Sequence, residues 1–345
     1  MTHRTRNFVI ASLLVLGAGV GTGLVAYYGF PTSAFTAGDG PDELRFLPAN
    51  ATVVAYADVH DVMTSELRQK LRAALPFQGD GQQSFQTQTG INIETDIDRV
   101  VFGLTPSADS GSPSRPSGLV VARGRFDVVR LEAFMRDRGA TVEDYKGARV
   151  VTAAPQSPQA PDSTGTQPVA PTARPSISVA FLENGLVALG TSVLVRRAVD
   201  LKDGGDSVKM NDDIMARVRA LDTGNVWAVG RFDALTSQAN LERGMVANLP
   251  AITWFSASGQ VDSGLRAVLK AETRDEESAN GLRDVIRGFV ALVRMQTNGR
   301  AELQNMLQSI QLGGSGQTVS LSLDLSPQAI DALQNSLQGA GRLRP

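Results

Sequence analysis

Four groups of side chains in this sequence have types and spacing that could do chemistry. The first is Asp58-Val59-His60-Asp61, where an imidazole stands between two carboxylates, as general acid/base work requires. A hydrolase built on His60 would need a serine or a metal brought to it by the fold; the same pattern also fits a helix start with Asp58 as its cap and His60 on the solvent side. The second is Glu94, Asp96 and Asp98 in INIETDIDRV, whose carboxylates could hold a hard cation. Calcium loops need more ligands and a positioned glycine, and these acids alternate with Ile91, Ile93, Ile97 and Val100 in the manner of a solvent-facing approach to a strand.

The third group is the tetrapeptide G-R-F-D, which occurs at Gly124–Asp127 and again at Gly230–Asp233. Arg125 and Arg231 recur in it. The motif reads as a turn where strand becomes helix, with glycine for tight backbone, Phe126 and Phe232 for the core, and Asp127 and Asp233 as N-caps. The fourth group is Arg283, Arg287 and Arg294, which share a helix face with Glu276 and Asn280 and offer a contact for an anionic headgroup or an acidic partner. No G-x-S-x-G, S-x-x-K, P-loop or H-E-x-x-H occurs. The residues therefore assign no catalytic, cofactor-binding or metal site and call for no cofactor, and an enzyme is the less favoured reading.

Composition narrows the classes further. Lys and Arg number 33 against 35 Asp and Glu, a net charge of -2 without long single-sign blocks. That is not the basic footprint that phosphate backbones demand, so nucleic acid is excluded as a partner. There is no cysteine, and the two histidines are His3 and His60. Disulfide frameworks, thiol nucleophiles, zinc clusters and cysteine lipidation all fall away.

The elements that would position these groups begin with a membrane segment. Residues 8–30, FVIASLLVLGAGVGTGLVAYYGF, carry no charge, and about 20 apolar residues suffice to cross a bilayer. Arg4 and Arg6 precede the run, while Asp39, Asp42 and Glu43 follow it, which places the N-terminus in the cytoplasm and the rest of the chain outside it. A cleavable leader is the rival; its apolar core is usually shorter, although Thr32-Ser33-Ala34 offers a cleavage site. Gly17, Gly19, Gly21 and Gly23 form two small-xxx-small pairs through which the helix could dimerise. The GAGVGTG run lacks the spacing and the preceding strand of a dinucleotide fingerprint.

Beyond a cytoplasmic tail at 1–7, the anchor at 8–30 and a flexible spacer at 31–45, the pattern is α+β. Leu265–Glu272 and Val319–Leu325 alternate apolar and polar residues, as antiparallel strands with one wet face do. Helices are expected at Asp58–Leu75, Phe126–Arg138, Ser192–Leu201, Asp212–Leu221 and about 275–297, the last opened by a Thr273/Glu276 capping box. Ser326-Pro327 opens a final helix with Ile330, Leu333 and Leu337 buried. Polar, proline-rich stretches at 105–117 and 154–176 read as disordered hairpin loops within one sheet. Trp227 and Trp254 fall in strand-like runs and are expected in the core.

The order of elements in 50–205 is echoed in 224–338, and the repeated G-R-F-D and the similar VAYADVHDVM at 54–63 accompany the echo. This predicts internal duplication: two similar antiparallel-sheet-plus-helix modules, 46–205 and 206–338, packed side by side, with helices on one face of each sheet and a tail at 339–345. With its anchor, the LPANATVVAYADV opening at 47–59 and GLVALGTSVLVRRAVD at 185–200, the chain resembles bacterial single-pass exported families described as domains of unknown function. That resemblance implies a structural likeness over most of 44–338 and no catalytic residue. The expectation is a single-pass protein of the cytoplasmic membrane whose extracytoplasmic body binds a protein or lipid-like partner without catalysis. An extracytoplasmic hydrolase, and an assembly component that forms homodimers through its anchor, are the alternatives.

Overall fold

The computed structural model describes residues 40–74, 86–87, 89–106, 117–153, 176–222, 224–234, 251–296 and 307–331. The anchor at 8–30 with Gly17, Gly19, Gly21 and Gly23 lies outside these residues, as do nearly all of the two proline-rich loops and the tail at 339–345. None of the described helices is long and apolar enough to cross a membrane.

The protein is α+β. In chain order the elements are β1 (Val53–Asp58), α1 (Val59–Thr64), α2 (Glu66–Ala74), the one-turn α3 (Ile93–Asp96), β2 (Ile97–Thr105), β3 (Ser117–Gly124), α4 (Val128–Arg136), β4 (Thr141–Tyr145), β5 (Ala148–Thr152), β6 (Ile177–Glu183), β7 (Leu186–Thr191), α5 (Ser192–Asp200), α6 (Asp212–Arg219), β8 (Val226–Arg231), β9 (Ile252–Val261), β10 (Leu265–Thr273), α7 (Glu276–Gln296), β11 (Ile310–Gly313) and β12 (Thr318–Leu325). All twelve strands belong to one antiparallel sheet in the order β11-β12-β10-β9-β8-β1-β2-β3-β7-β6-β5-β4. The strands flanking the proline-rich stretches do pair, β2 with β3 and β5 with β6.

The halves meet where β1 lies against β8, with Tyr56 opposite Trp227 and Val54 opposite Val229. The two rings stack at 5.9 Å between centroids. Buried Asn225 extends the join beyond the strands: its backbone carbonyl accepts from Asp58 N–H and its side chain bonds both ways with Val261. The expected pair of separate layers is thus replaced by a single continuous sheet.

Helices cover both faces, which corrects the expectation of one. Alternation along β1, β7 and β8 sends Val54, Tyr56, Leu186, Ala188, Trp227 and Val229 into one core with α5 and α6, which contribute Val195, Ala198, Ile214 and Met215. The intervening Ala57, Val187 and Val226 face the other side, against Val62 of α1 or Leu131 of α4. Two-sided burial explains why the central strands read as unbroken apolar runs. Further out, α7 covers only one face, through Ala279 and Leu282 on Ala271 and Val319. On the other face Arg266, Lys270, Ser320, Ser322 and Asp324 stand partly or fully in solvent, the wet side that the alternation of β10 and β12 predicts.

Caps fix the helix starts. Asp127 accepts from Arg130 N–H and Asn211 from Ile214 N–H. Asp275, not Thr273, caps α7: its carboxylate accepts from Ser278 N–H at 2.8 Å, while the Thr273 hydroxyl donates to the carbonyls of Asp275 and Gln317. The Ser278 contacts hold the Asp275 carboxyl below its usual range.

Because one sheet runs through both halves, the full chain in detergent is expected to unfold in a single cooperative transition. Trp227→Ala should shift that whole transition by about 3–5 kcal/mol. Chemical denaturation followed by far-UV circular dichroism and by fluorescence of the remaining Trp254 checks this; two separate transitions would contradict it.

Candidate functional site

Two of the four sequence groups meet at one place. An open cleft of about 770 Å³ is lined by Gly90, Ile91, Asp96, Asp98, Arg123, Gly124, Arg125, Phe126, Asp127, Asn184 and Gly185. It forms where α3 enters β2, where β3 turns towards α4, and where β6 turns into β7. The turn is tight: Gly124 N–H donates to the Gly185 carbonyl and Arg125 N–H to the Asp96 carbonyl. A side chain at Gly124 would run into the Asp96 carbonyl and the Ile97 backbone, so only glycine fits there.

Most charges here are committed to holding the walls. Asp96 accepts from Asn92 N–H at 2.8 Å and from the Thr95 hydroxyl at 3.0 Å. Arg125 reaches the Thr95 carbonyl and stands 3.9 Å from Asp96. Asp127 is a helix cap. Arg123 donates from Nε to Glu43, a carboxylate that is 1% exposed and whose Oε2 has no hydrogen-bond partner among the described residues. With Arg123 set against Glu43 and Arg125 near Asp96, the carboxylates of Asp98 and Asp127 leave the lining with an acidic excess. Asp98 and Asn184 carry no hydrogen bond or ion pair among the described residues and face whatever enters.

The other candidates go elsewhere. Glu94 turns away to pair with Arg68 of α2 at 2.7 Å, so the three acids of INIETDIDRV are not gathered, and no metal-holding group of three or more such residues exists among the described residues. Arg231 forks onto Asp233 at 3.1 and 2.9 Å and never approaches Arg125's cleft. Of the α7 arginines, Arg283 is spent on the carbonyls of Gly316 and Thr318, and Arg287 pairs with Asp284; Arg294 is exposed near the helix end.

At the first group, Asp58 is 2% exposed and accepts from His60 N–H, while His60 itself lies on the surface. Burial first, and then the hydrogen bond and charge of Asp58, push the Asp61 carboxyl from 3.8 up to about 6. Burial likewise raises the Tyr56 hydroxyl. Sequence spacing pointed at His60; the perturbed group is the carboxyl beside it.

The chain matches no protein-family model and no curated protein. Among solved structures it is similar to crystal form I of TP0453, at 10% identity, with 86% of this chain and 98% of that one covered and a TM-score of 0.42.

Two outcomes follow. Between pH about 4 and about 6 the folded protein holds a proton on Asp61 that the unfolded chain has released, so this group's stabilisation is complete below its ordinary pKa and is lost as pH rises through about 6. Asp61→Asn should therefore leave stability unchanged near pH 4 and raise it near pH 7, as read from denaturation midpoints. Arg123→Met should cost about 3–5 kcal/mol by stranding a buried carboxylate, and adding Glu43→Met should recover most of the loss. A Glu43→Met/Arg123→Met chain no more stable than Arg123→Met alone would contradict that account.

Proposed function

We propose that this chain is a single-pass protein of the cytoplasmic membrane, anchored through residues 8–30, whose extracytoplasmic body is a non-catalytic binding module of the cell envelope. The cleft carries the reading. Its recurring or chemically suggestive side chains, Arg125, Asp96 and Asp127, serve a turn and a cap, and what remains open to a visitor is the acidic-polar pair Asp98 and Asn184. Such a surface accepts donors, so the partner is a protein segment or lipid-like molecule presenting an amine or guanidinium group.

The same proposal includes internal duplication of the body. Its support is the sheet order. Outward from the β1–β8 pair, the strands run β1, β2, β3, β7, β6 on one side and β8, β9, β10, β12, β11 on the other, with a helix after β3 and after β10. The β4–β5 hairpin then has no counterpart and is an insertion at the edge. This alignment equates β1 with β8, so VAYADVHDVM matches AVGRFDAL, and the literal G-R-F-D repeat joins positions that are not equivalent.

One observation favours a second reading, an extracytoplasmic hydrolase. Asp61, beside the buried carboxyl of Asp58, has the raised pKa, about 6, that acid/base catalysts use.

A photo-crosslinker at Asn184 of the full-length chain in membranes separates the two. Binding predicts a discrete adduct that disappears with Asp98→Lys while the chain stays folded. No adduct, together with ester or peptide hydrolysis by the purified chain that Asp61→Asn abolishes, would replace the binding module with the hydrolase. Carbonate extraction checks the anchor: full-length chain is expected in the membrane pellet.

A further inference from the structure

Asp98 owes its freedom to a β-bulge. In the β2–β3 pair Ile97 lies opposite Gly124 and Arg99 opposite Arg123, so Asp98 is the extra residue that the bulge leaves over. Bulges re-aim side chains beside binding sites, and this one delivers a carboxylate to the cleft that it shares with Asn184 of the β6–β7 turn. Neither side chain has a partner among the described residues.

The chain itself carries a segment of the matching charge. Every internal stretch outside the described residues has at least as many carboxylates as arginines and no lysine, whereas residues 332–345, ALQNSLQGAGRLRP, carry Arg342 and Arg344 and no carboxylate. This segment also leaves from the right place. Leu325 ends β12 at the same end of the sheet at which Ile97 opens β2 and Gly124 closes β3. Two ion pairs mark the route from there to the cleft: Asp331 meets Lys70 of α2 at 2.8 Å, and Arg68 of the same helix meets Glu94 of α3 at 2.7 Å. Through Asp96, α3 forms one wall of the cleft. Crossing two helices takes roughly 20–24 Å. From Asp331, the helix expected through Leu337 covers about 9 Å and extended chain to Arg344 about 23 Å more, so the arginines reach.

We propose that residues 339–345 occupy the cleft of their own chain and compete there with the outside partner. In extended chain Arg342 and Arg344 project to one side, towards Asp98 and Asn184, with Leu343 turned away. The inference rests on the reading of the cleft as a site for cationic donors, and it adds the occupant that any partner must displace. Tethering gives the tail an effective concentration on the order of millimolar, so a weak contact suffices to fill the cleft and the chain's own tail is favoured over that of a second copy.

Two measurements on the full-length chain in a nonionic detergent test this. A photo-crosslinker at Asn184, with no partner present, should form an adduct within the monomer band whose fragments map to residues 332–345, and Arg342→Gln with Arg344→Gln should abolish it. Fluorescently labelled acetyl-Gly-Arg-Leu-Arg-Pro-amide, followed by anisotropy, should bind the doubly substituted chain about tenfold more tightly than the unchanged chain. Adding Asp98→Lys should remove that binding. Equal affinity for the two chains, or an Asn184 adduct that maps elsewhere or joins two copies, overturns the proposal. If an adduct with an envelope partner still forms at Asn184 after that result, the tail alone fails; if Asn184 forms no adduct with anything, the reading of the cleft fails with it.

Discussion

The antiparallel contact of β1 with β8 joins residues 169 to 177 positions apart in the chain, and most of the remaining architecture follows from it. It turns two strand sets into one sheet and puts the most apolar strands at the middle. Their alternate residues are buried on both sides, because helices cover both faces of the sheet there. The α5 and α6 helices meet one side of that centre, and α1 and α4 the other. Asn225, buried at the end of the contact, satisfies the backbone of β9 with its side-chain amide. A buried amide with both ends bonded fixes register better than an apolar residue would, since any slip leaves polar groups unpaired.

Elements with local signals were legible in the sequence. The α7 helix, bounded at Glu276–Gln296, and the alternating strands β10 and β12 follow periodicity alone. What periodicity could not reveal was which strands share an edge. The runs at Val53–Asp58 and Val226–Arg231 look alike whether they lie in two sheets or adjoin in one, because both placements bury them. The same ambiguity hid the second helical layer. The cap of α7 was misread for a narrower reason: Thr273 and Asp275 both suit the role, and the β-bulge at Glu272/Thr273 turns the threonine hydroxyl to carbonyls, leaving the cap to Asp275.

The cleft shows the same division. Its glycine turn and the Asp127 cap are local and could be read from G-R-F-D. Asn184-Gly185 carried a recognisable hairpin signal, with Gly185 at φ +70°, yet nothing in sequence says that this turn abuts Gly124. Arg123 and Glu43 stand 80 residues apart, and only tertiary packing discloses the pair. The acids of INIETDIDRV teach the reverse. Their closeness in sequence suggested a shared ligand, but the short α3 turn and the strand after it aim Glu94 at α2, Asp96 into its own turn and Asp98 at the cleft.

Two of the buried carboxylates of the first half, Glu43 and Asp58, show how the fold treats charge it does not offer to a partner. Glu43 lies wholly inside and is faced by the guanidinium of Arg123, whose far side reaches the cleft wall. Asp58 lies equally deep, but the group beside it is a second carboxyl, and burial with that neighbour raises Asp61 towards neutrality. In low-dielectric surroundings a carboxylate persists with a counter-charge, as Glu43 and Glu132 do, or beside a group that takes up the proton, as Asp58 does beside Asp61; Asp58 and Arg123, the counter-charge of Glu43, stand level with Arg99 at the same end of the sheet. The consequence for recognition is geometric. Guanidinium donors near the cleft are tied inward by Glu43 and by the Thr95 carbonyl, so the polarity that a visitor meets is set by the groups left over, Asp98 and Asn184, and these accept hydrogen bonds from a cationic or donor-rich surface better than they attract an anionic one.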